Sequence, residues 1–546
     1  MRFYIATSPL HHIATSPHHH IVTSPLHYIA TSSHHHIATL FNYHFMKRRD
    51  FLKYTTGAVA IPALLGGMSV KTLAASPFIA AAADLATETD RILVLIYLYG
   101  GNDGLNTIIP IDKYDQLANV RSSVIIPQNN ILPLNGVSTL GLHPAMTGIQ
   151  QLYNNGKVKI VQSVGYPNPS FSHFRATDIW LSAANADQYI NTGWMGRFLE
   201  QEYPGYPTGY PNIDVPDPLA VEIGSSQSLV FQGNVASTSM AISDPTWFYN
   251  LVTSNTEPAP NTQWGEQLAY IRMVAQQSNQ YGEVVTNAYN NSSNIATYPS
   301  NNSLADQLKI VARLINGGLK TRVYMVGLDG FDTHANQVEG YDHTIGNHAN
   351  LLQKLSAGIS AFMSDLEQMG VDDRVVGMTV SEFGRRIISN ASNGTDHGTS
   401  APQIIFGTPV AGGVLGVTPN IPAVGDEDDN IPHQFDFRSI YATMLRDWLC
   451  TPQAETDSIL MQNFTTLPLL SVPCNVCTLP TPTVSGNNVA CSNGSFIYTA
   501  NTPTSGGTFT WVVTGGTIVS GQGTNQINVI WDSGTQGTIE VMQSIN

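Results

Sequence analysis

Five short segments of this chain carry side chains able to hold a cation or move a proton, and each lies just after an apolar run or shortly beyond one. They are Tyr99-Gly100-Gly101-Asn102-Asp103-Gly104-Leu105-Asn106, then Gly165-Tyr166-Pro167-Asn168-Pro169-Ser170-Phe171-Ser172-His173-Phe174-Arg175, then Asp329-Gly330-Phe331-Asp332-Thr333-His334, then Ser381-Glu382-Phe383-Gly384-Arg385-Arg386, and finally Gly394-Thr395-Asp396-His397-Gly398-Thr399. Carboxylate, hydroxyl and imidazole groups recur among them. Mixed oxygen and nitrogen donors suit Zn, Mn or a similar divalent ion. A hydroxyl beside such an ion suits nucleophilic attack on a phosphoryl or sulfuryl centre, because the ion lowers the hydroxyl pKa and holds the oxyanion. Plainer readings stand beside these. The glycines at 100, 101 and 104 serve a tight turn, Asp329 and Asp332 serve as turn or cap residues, and Arg385-Arg386 either pairs with acids or presents a guanidinium to an anion.

The apolar runs predict the elements that must position these groups. Ile92–Leu98, Val158–Val164, Val323–Leu328 and Val375–Val380 read as strands buried on both faces. Helical periodicity marks 350–369, and Asp436 caps a helix over 436–449. Strands alternating with helices predict an α/β domain over 90–470, a mostly parallel sheet with helices on both faces. In such sheets ligands gather at the carboxyl ends of the strands, which is where the five segments fall. Residues 200–300, rich in Pro, Asn, Ser and Tyr, read as a long insertion of irregular loops.

The two ends of the chain have a different character. Residues 5–40 repeat with a period of eight, and ten of the 17 histidines precede residue 45. This tract, 1–45, is either a metal-binding stretch or a segment ahead of the true start at Met46. From Met46 the chain reads Lys47-Arg48-Arg49-Asp50-Phe51-Leu52-Lys53, followed by a weakly apolar stretch and small residues to 76, which resembles a twin-arginine export signal. A proline-marked linker over 471–483 precedes short alternating strands over 484–546, the pattern of a small β-sandwich. Cys474-x2-Cys477 lacks a second close pair for zinc, and export favours a disulfide from Cys491 to Cys474 or Cys477.

Charged residues are only 12% of the chain and the net charge is −15. An acidic surface without a basic block excludes electrostatic nucleic-acid binding as the default. No run of eighteen apolar residues occurs, so no stable transmembrane span is expected. Among the remaining histidines, His143 beside Pro144 reads as a packing residue, His343 and His348 fit one helical face poorly, and His433 is open. The run Asp426-Glu427-Asp428-Asp429 reads as a solvated acidic loop.

The export signal, the Tyr-Gly-Gly-Asn-Asp-Gly turn, Ser172-His173-Phe174-Arg175, Asp329 through His334, Ser381 through Arg385 and Gly394 through Gly398 together resemble the family of domain of unknown function 1501. That family is twin-arginine exported and placed in the alkaline-phosphatase-like superfamily with sulfatases and phosphopentomutases. The resemblance covers roughly residues 47–450, and the 484–546 strands resemble polycystic-kidney-disease-like immunoglobulin modules. It implies a catalytic set of Ser172 as nucleophile (Ser170 a near competitor) with His173, Arg175 and Arg385, and a metal set of Asp103, Asp329, His334, Glu382 and His397. At the fourth strand the superfamily carries Asp-His where this chain carries Glu382-Phe383, so one of two metal sites loses an imidazole. This leaves open a single-metal enzyme, an altered site using another histidine, or a lost activity, with one metal ion expected over two. The expectation is an exported, metal-dependent hydrolase of phosphate or sulfate esters in the periplasm or at the cell surface. Its partners are an anionic ester or glycan and, during export, the twin-arginine translocase. The alternative is a catalytically silent, metal-stabilised domain that binds glycans or proteins.

Overall fold

The computed structural model describes residues 64–65, 68–69, 90–243, 280–474, 483–487, 489–491, 493–501, 508–533 and 537–544. All lie within one compact unit, Phe45–Asn546. The histidine repeat, Cys477 and the twin-arginine motif fall outside the described residues.

The sequence runs expected as buried strands form the centre of a nine-stranded sheet. Its strands are β1 (Ile92–Tyr99), β2 (Val158–Gly165), β3 (Ala220–Ile223), β4 (Ser239–Ile242), β5 (Val323–Asp329), β6 (Val375–Val380), β7 (Ala401–Phe406), β8 (Gly413–Leu415) and β9 (Phe435–Asp436). The spatial order is β8-β2-β7-β6-β1-β5-β3-β4, with β9 also on β2. Every neighbouring pair is parallel except the two made by β7, which runs against β6 and β2. β3 and β4 come from the stretch expected to be irregular loops. All four residues of β3 are buried, but a run of four between prolines and serines is too short to signal a strand by periodicity.

Burial on both faces explains why β1 is apolar throughout. Ile92, Val94, Ile96 and Leu98 join one core, and Leu93, Leu95 and Tyr97 join the other, as alternation along a strand requires. The first core is covered by helices α1 (Thr147–Asn154), α4 (Ser303–Asn316) and α5 (Asn347–Met369). The second is covered by α2 (His173–Ser182), α3 (Trp194–Glu202) and α6 (Phe437–Thr443). The helix expected over 436–449 is α6 continued by a π turn at Met444–Trp448. No helix of the described residues is long and apolar enough to cross a membrane.

Beyond residue 482, four antiparallel strands (Thr483–Ser485, Ser495–Asn501, Gln526–Trp531 and Gly516–Ser520) form one sheet, and Thr508–Thr514 pairs with Thr538–Ser544 in a second. Tyr498, Phe509, Trp511, Ile527 and Val529 pack between them, giving the expected small β-sandwich. The disulfide differs from expectation. Cys474 is bonded to Cys450, and Cys491 is exposed and free. The Cys474 amide donates to the Asp447 carbonyl at 2.7 Å, which brings its Cα within 5.4 Å of that of Cys450, inside the range a disulfide spans.

Candidate metal centre

Register brings three of the five segments to one level. Asp329 lies beside Tyr99, and Val380 beside Tyr97, so the turns after β1, β5 and β6 leave the sheet together. His397 reaches the same edge by a different route. It precedes β7, the one antiparallel strand, whose first residue Ala401 lies beside Val164 near the end of β2. His173 is the first residue of α2, directly after the β2 loop.

Two glycines allow these turns to close. Gly100 has φ +121° and a Cβ there would meet the Asp332 nitrogen at 2.2 Å, while at Gly101, φ +82°, it would meet the Phe383 ring at 2.3 Å. Only glycine tolerates both the backbone conformation and the contact.

Three side chains form a cluster at this edge and a fourth flanks it. His173, Asp332 and His397 each offer a ligand atom within 4.8 Å of the other two. His334 joins them, its Nε2 lying 2.8 Å from His397 Nε2 and 3.2 Å from Asp332 Oδ1. The opposite nitrogen of every ring is already engaged. His397 Nδ1 faces the Phe171 carbonyl at 2.7 Å, His334 Nδ1 faces Asp396 Oδ1 at 2.7 Å, and His173 Nδ1 faces Glu382 Oε1 at 2.9 Å. Each of these oxygens accepts, so each Nδ1 carries the proton and each Nε2 of the neutral ring presents a lone pair. Those lone pairs point at one another and at the Asp332 carboxylate, 3.3 Å from His397 Nε2 and 3.5 Å from His173 Nε2. Such a set repels itself unless a metal ion stands among its members or one ring takes a second proton and donates it to a neighbour. A nitrogen-rich set with one carboxylate, each imidazole oriented from behind by a carboxylate or carbonyl, is an arrangement that could hold a divalent metal ion.

Electrostatics support the arrangement. Burial works to raise the Asp332 carboxyl, but the hydrogen bond and charge of Arg385, with help from His397, hold it below its ordinary value. Burial lowers the His397 pKa, with the nearby Arg385 charge adding to the effect against the Phe171 hydrogen bond, which favours the neutral, ligating ring. Phe383, 2% exposed, lies 4.9 Å from the His173 ring and 4.5 Å from the His397 ring, an apolar wall on one side of the cluster.

The structure distributes the residues expected from sequence as follows. Of the metal set, His334 and His397 meet in the cluster, and Glu382 stands one step behind, bridging the Gly100 amide at 2.8 Å and His173. His173, expected in the catalytic set, sits with the His334 and His397 rings. Asp103 does not face the cluster. It is buried, caps the short helix after β1, and pairs with Arg121 while accepting from Gln337 at 2.5 Å. Asp329 ends β5 one turn short of the cluster, and Asp332, read as a turn residue, supplies the carboxylate instead. Of the catalytic set, Ser172 is the exposed N-cap of α2, and its hydroxyl makes no capping bond. Arg385 is turned inward, its guanidinium donating to the carbonyls of Gly100, Gly101, Phe331 and Thr395 and to Asp332. Arg175 donates to the carbonyls of Asn185, Ala186 and Gln188 and stacks 4.0 Å over Tyr189. Sequence reasoning missed Asp396 as an orienting group, although its place directly before His397 was the available signal.

Comparison with known proteins follows the same outline. Residues 253–466 match the family described as "Protein of unknown function (DUF1501)", and residues 478–545 match the PKD-like domain. No curated protein matches the chain. Similar solved structures include a Bacteroides thetaiotaomicron protein described with the metabolism of multiple glycosaminoglycans, at 9% identity over 82% of this chain and 89% of that one, TM-score 0.34. Another is a protein of the alkaline phosphatase superfamily from Vibrio parahaemolyticus, at 11% identity over 83% and 85%, TM-score 0.31. A third is a lipoteichoic acid synthase from Listeria monocytogenes, at 9% identity over 76% and 83%, TM-score 0.30. The segment matching the DUF1501 model holds Asp332, His334, Glu382, Asp396 and His397, and the segment matching the PKD-like domain follows it.

Proposed function

We propose that this protein is an exported, metal-dependent hydrolase of phosphate or sulfate esters. The observation that carries the reading is the convergence of the His173, His334 and His397 Nε2 atoms on Asp332 while each Nδ1 is held elsewhere. Those four residues would hold one zinc- or manganese-class ion, and bound there it supplies a Lewis acid for an anionic oxygen. Asp396, Glu382 and the Phe171 carbonyl fix the ring tautomers and orientations. Arg385 holds the Asp332 carboxylate and the two carbonyls of the Gly100-Gly101 turn, so the ligand loops keep their spacing. Phe383 keeps water and a second cation from the far side of the His173 and His397 rings.

Ser172 is the proposed nucleophile. Its hydroxyl is exposed, free of a capping bond and one residue from His173. Attack would form an Oγ–phosphorus or Oγ–sulfur bond, the alcohol of the ester leaving with a proton, and water would then release phosphate or sulfate. Export through the twin-arginine route, read from Arg48-Arg49, would place this activity in the periplasm or at the cell surface.

The inward commitment of Arg175 and Arg385 favours a second reading, in which the ion stabilises a domain that binds without turning over. The test is hydrolysis of 4-nitrophenyl phosphate and 4-nitrophenyl sulfate by the zinc- and manganese-loaded chain. Turnover lost in Ser172→Ala with metal retained supports the hydrolase. Absence of turnover with metal bound supports the second reading.

A further inference from the structure

We infer that Gln337 is a positioning residue for the metal centre, clamping the two loops that carry its ligands to one buried anchor. This inference rests on the metal-centre reading. Gln337 is completely buried, and its amide spans three separate segments. Its Oε1 accepts from Thr333 Oγ1 at 3.1 Å and from Thr395 Oγ1 at 2.7 Å. Thr333 lies between the ligands Asp332 and His334, and Thr395 directly precedes Asp396 and His397. On its other side Nε2 donates to Asp103 Oδ2 at 2.5 Å.

Amide orientation is often ambiguous, but here it is fixed by chemistry. Asp103 is a buried carboxylate, kept below its ordinary pKa because Arg121, with His348 and Gln337, outweighs the burial that would raise it. It only accepts, so the NH2 end must face it and the oxygen must face the two hydroxyls. Backbone bonds complete the clamp. The Gln337 amide donates to Asn393 O at 2.9 Å, and the Thr395 amide donates to Thr333 O at 3.1 Å.

Neither ligand loop has a helix or strand of its own. The spacing of His334 and His397 therefore depends on what ties one loop to the other. Arg385 and Asn390 also reach both loops, and Gln337 is the completely buried amide that joins them through a hydroxyl of each, Thr333 and Thr395. This gives Asp103, which stands apart from the cluster, a role at one remove, since it orients Gln337.

The probe is Zn²⁺, titrated into the full chain in competition with a chromophoric chelator. The His397→Ala chain, which keeps the N-terminal histidine repeat, serves as the background. Two variants separate positioning from folding. Gln337→Leu removes the clamp, and Thr395→Val removes a single hydroxyl whose one partner is Gln337 while keeping the side-chain shape. The expected result is a 10- to 100-fold weaker zinc site, the range found for outer partners of metal ligands. The d–d spectrum of the Co²⁺-loaded Thr395→Val chain should also change, with thermal unfolding of the metal-free protein unaltered. Wild-type zinc affinity and an unchanged Co²⁺ spectrum in Thr395→Val would overturn the inference while leaving the metal centre standing. If the parent chain binds no more zinc than His397→Ala, the metal-centre reading itself falls.

Discussion

The Nε2 atoms of His334 and His397 lie 2.8 Å apart although neither ring has a proton to offer the other in its neutral form. Asp396 takes the proton of one ring from behind and the Phe171 carbonyl takes that of the other. Sixty-three residues separate the two histidines, so no local turn or helix face explains the contact. A metal ion held by both rings would account for it, as would a second proton on one ring donated to the other.

Glu382 orients His173 without reaching the cluster, so its substitution separates orientation from ligation. Glu382→Gln should weaken zinc about 10-fold or more, whereas His173→Ala should weaken it further by removing a donor atom. Chelator competition measures both, and equal, negligible effects would show that His173 is not a ligand.

Phe383 fills the space against Gly101 and the two imidazoles. Phe383→Ala should destabilise the protein by about 3 kcal/mol, measured by denaturant unfolding. Gly101→Ala should be destabilising as well, since it adds a methyl group at a φ of +82° into the Phe383 ring. Wild-type midpoints in both variants would remove Phe383 from its place as a wall.

Acid sensitivity should come in part from two buried histidines outside the centre. Burial pushes His143 down to about 3 and His348 down to about 4, from an ordinary 6.5. Between about pH 4 and 6.5 the unfolded chain binds more protons at these rings than the folded one. The stability they allow is therefore fully present above about 6.5 and falls as pH drops through that window, by up to about 1.4 kcal/mol per pH unit for each ring. Denaturant unfolding at pH 7, 5.5 and 4.5 measures the slope. His348→Gln should flatten it, and an unchanged slope in that variant would contradict the assignment.

The Cys450–Cys474 bond closes a loop with a sequence separation of 24. Its removal in Cys450→Ser/Cys474→Ser should cost about 3 kcal/mol, whereas Cys491→Ser should leave the unfolding midpoint unchanged. A loss of stability in Cys491→Ser instead would point to a different pairing.

How much of this was legible in the sequence follows from the range of each signal. β1, β5 and β6 are mostly apolar runs, as burial on both faces demands, and β2 is legible although Lys159, Gln162 and Ser163 interrupt its apolar residues. β3 and β4 were hidden, since strands of four residues carry too little pattern. His334 and His397 were identifiable because each sits beside carboxylates near a strand end. Asp332 was eclipsed by Asp329, since only the turn at Gly330-Phe331 decides which carboxylate swings back over the edge. The same limit applied to Arg175 and Arg385, whose charge suggested an anion partner but whose donors are taken up by carbonyls of loops distant in sequence. Gln337 gave no signal, because its importance lies in contacts to Thr333, Thr395 and Asp103 that only the fold assembles.

The most direct test of the central claim is the zinc stoichiometry of the full chain compared with that of His397→Ala, each equilibrated with Zn²⁺ and measured by elemental analysis after gel filtration. Both chains share the N-terminal histidine repeat, so the difference reports the centre alone. One additional equivalent of zinc per chain in the parent is the predicted result, and equal zinc content in two equally folded proteins would contradict it.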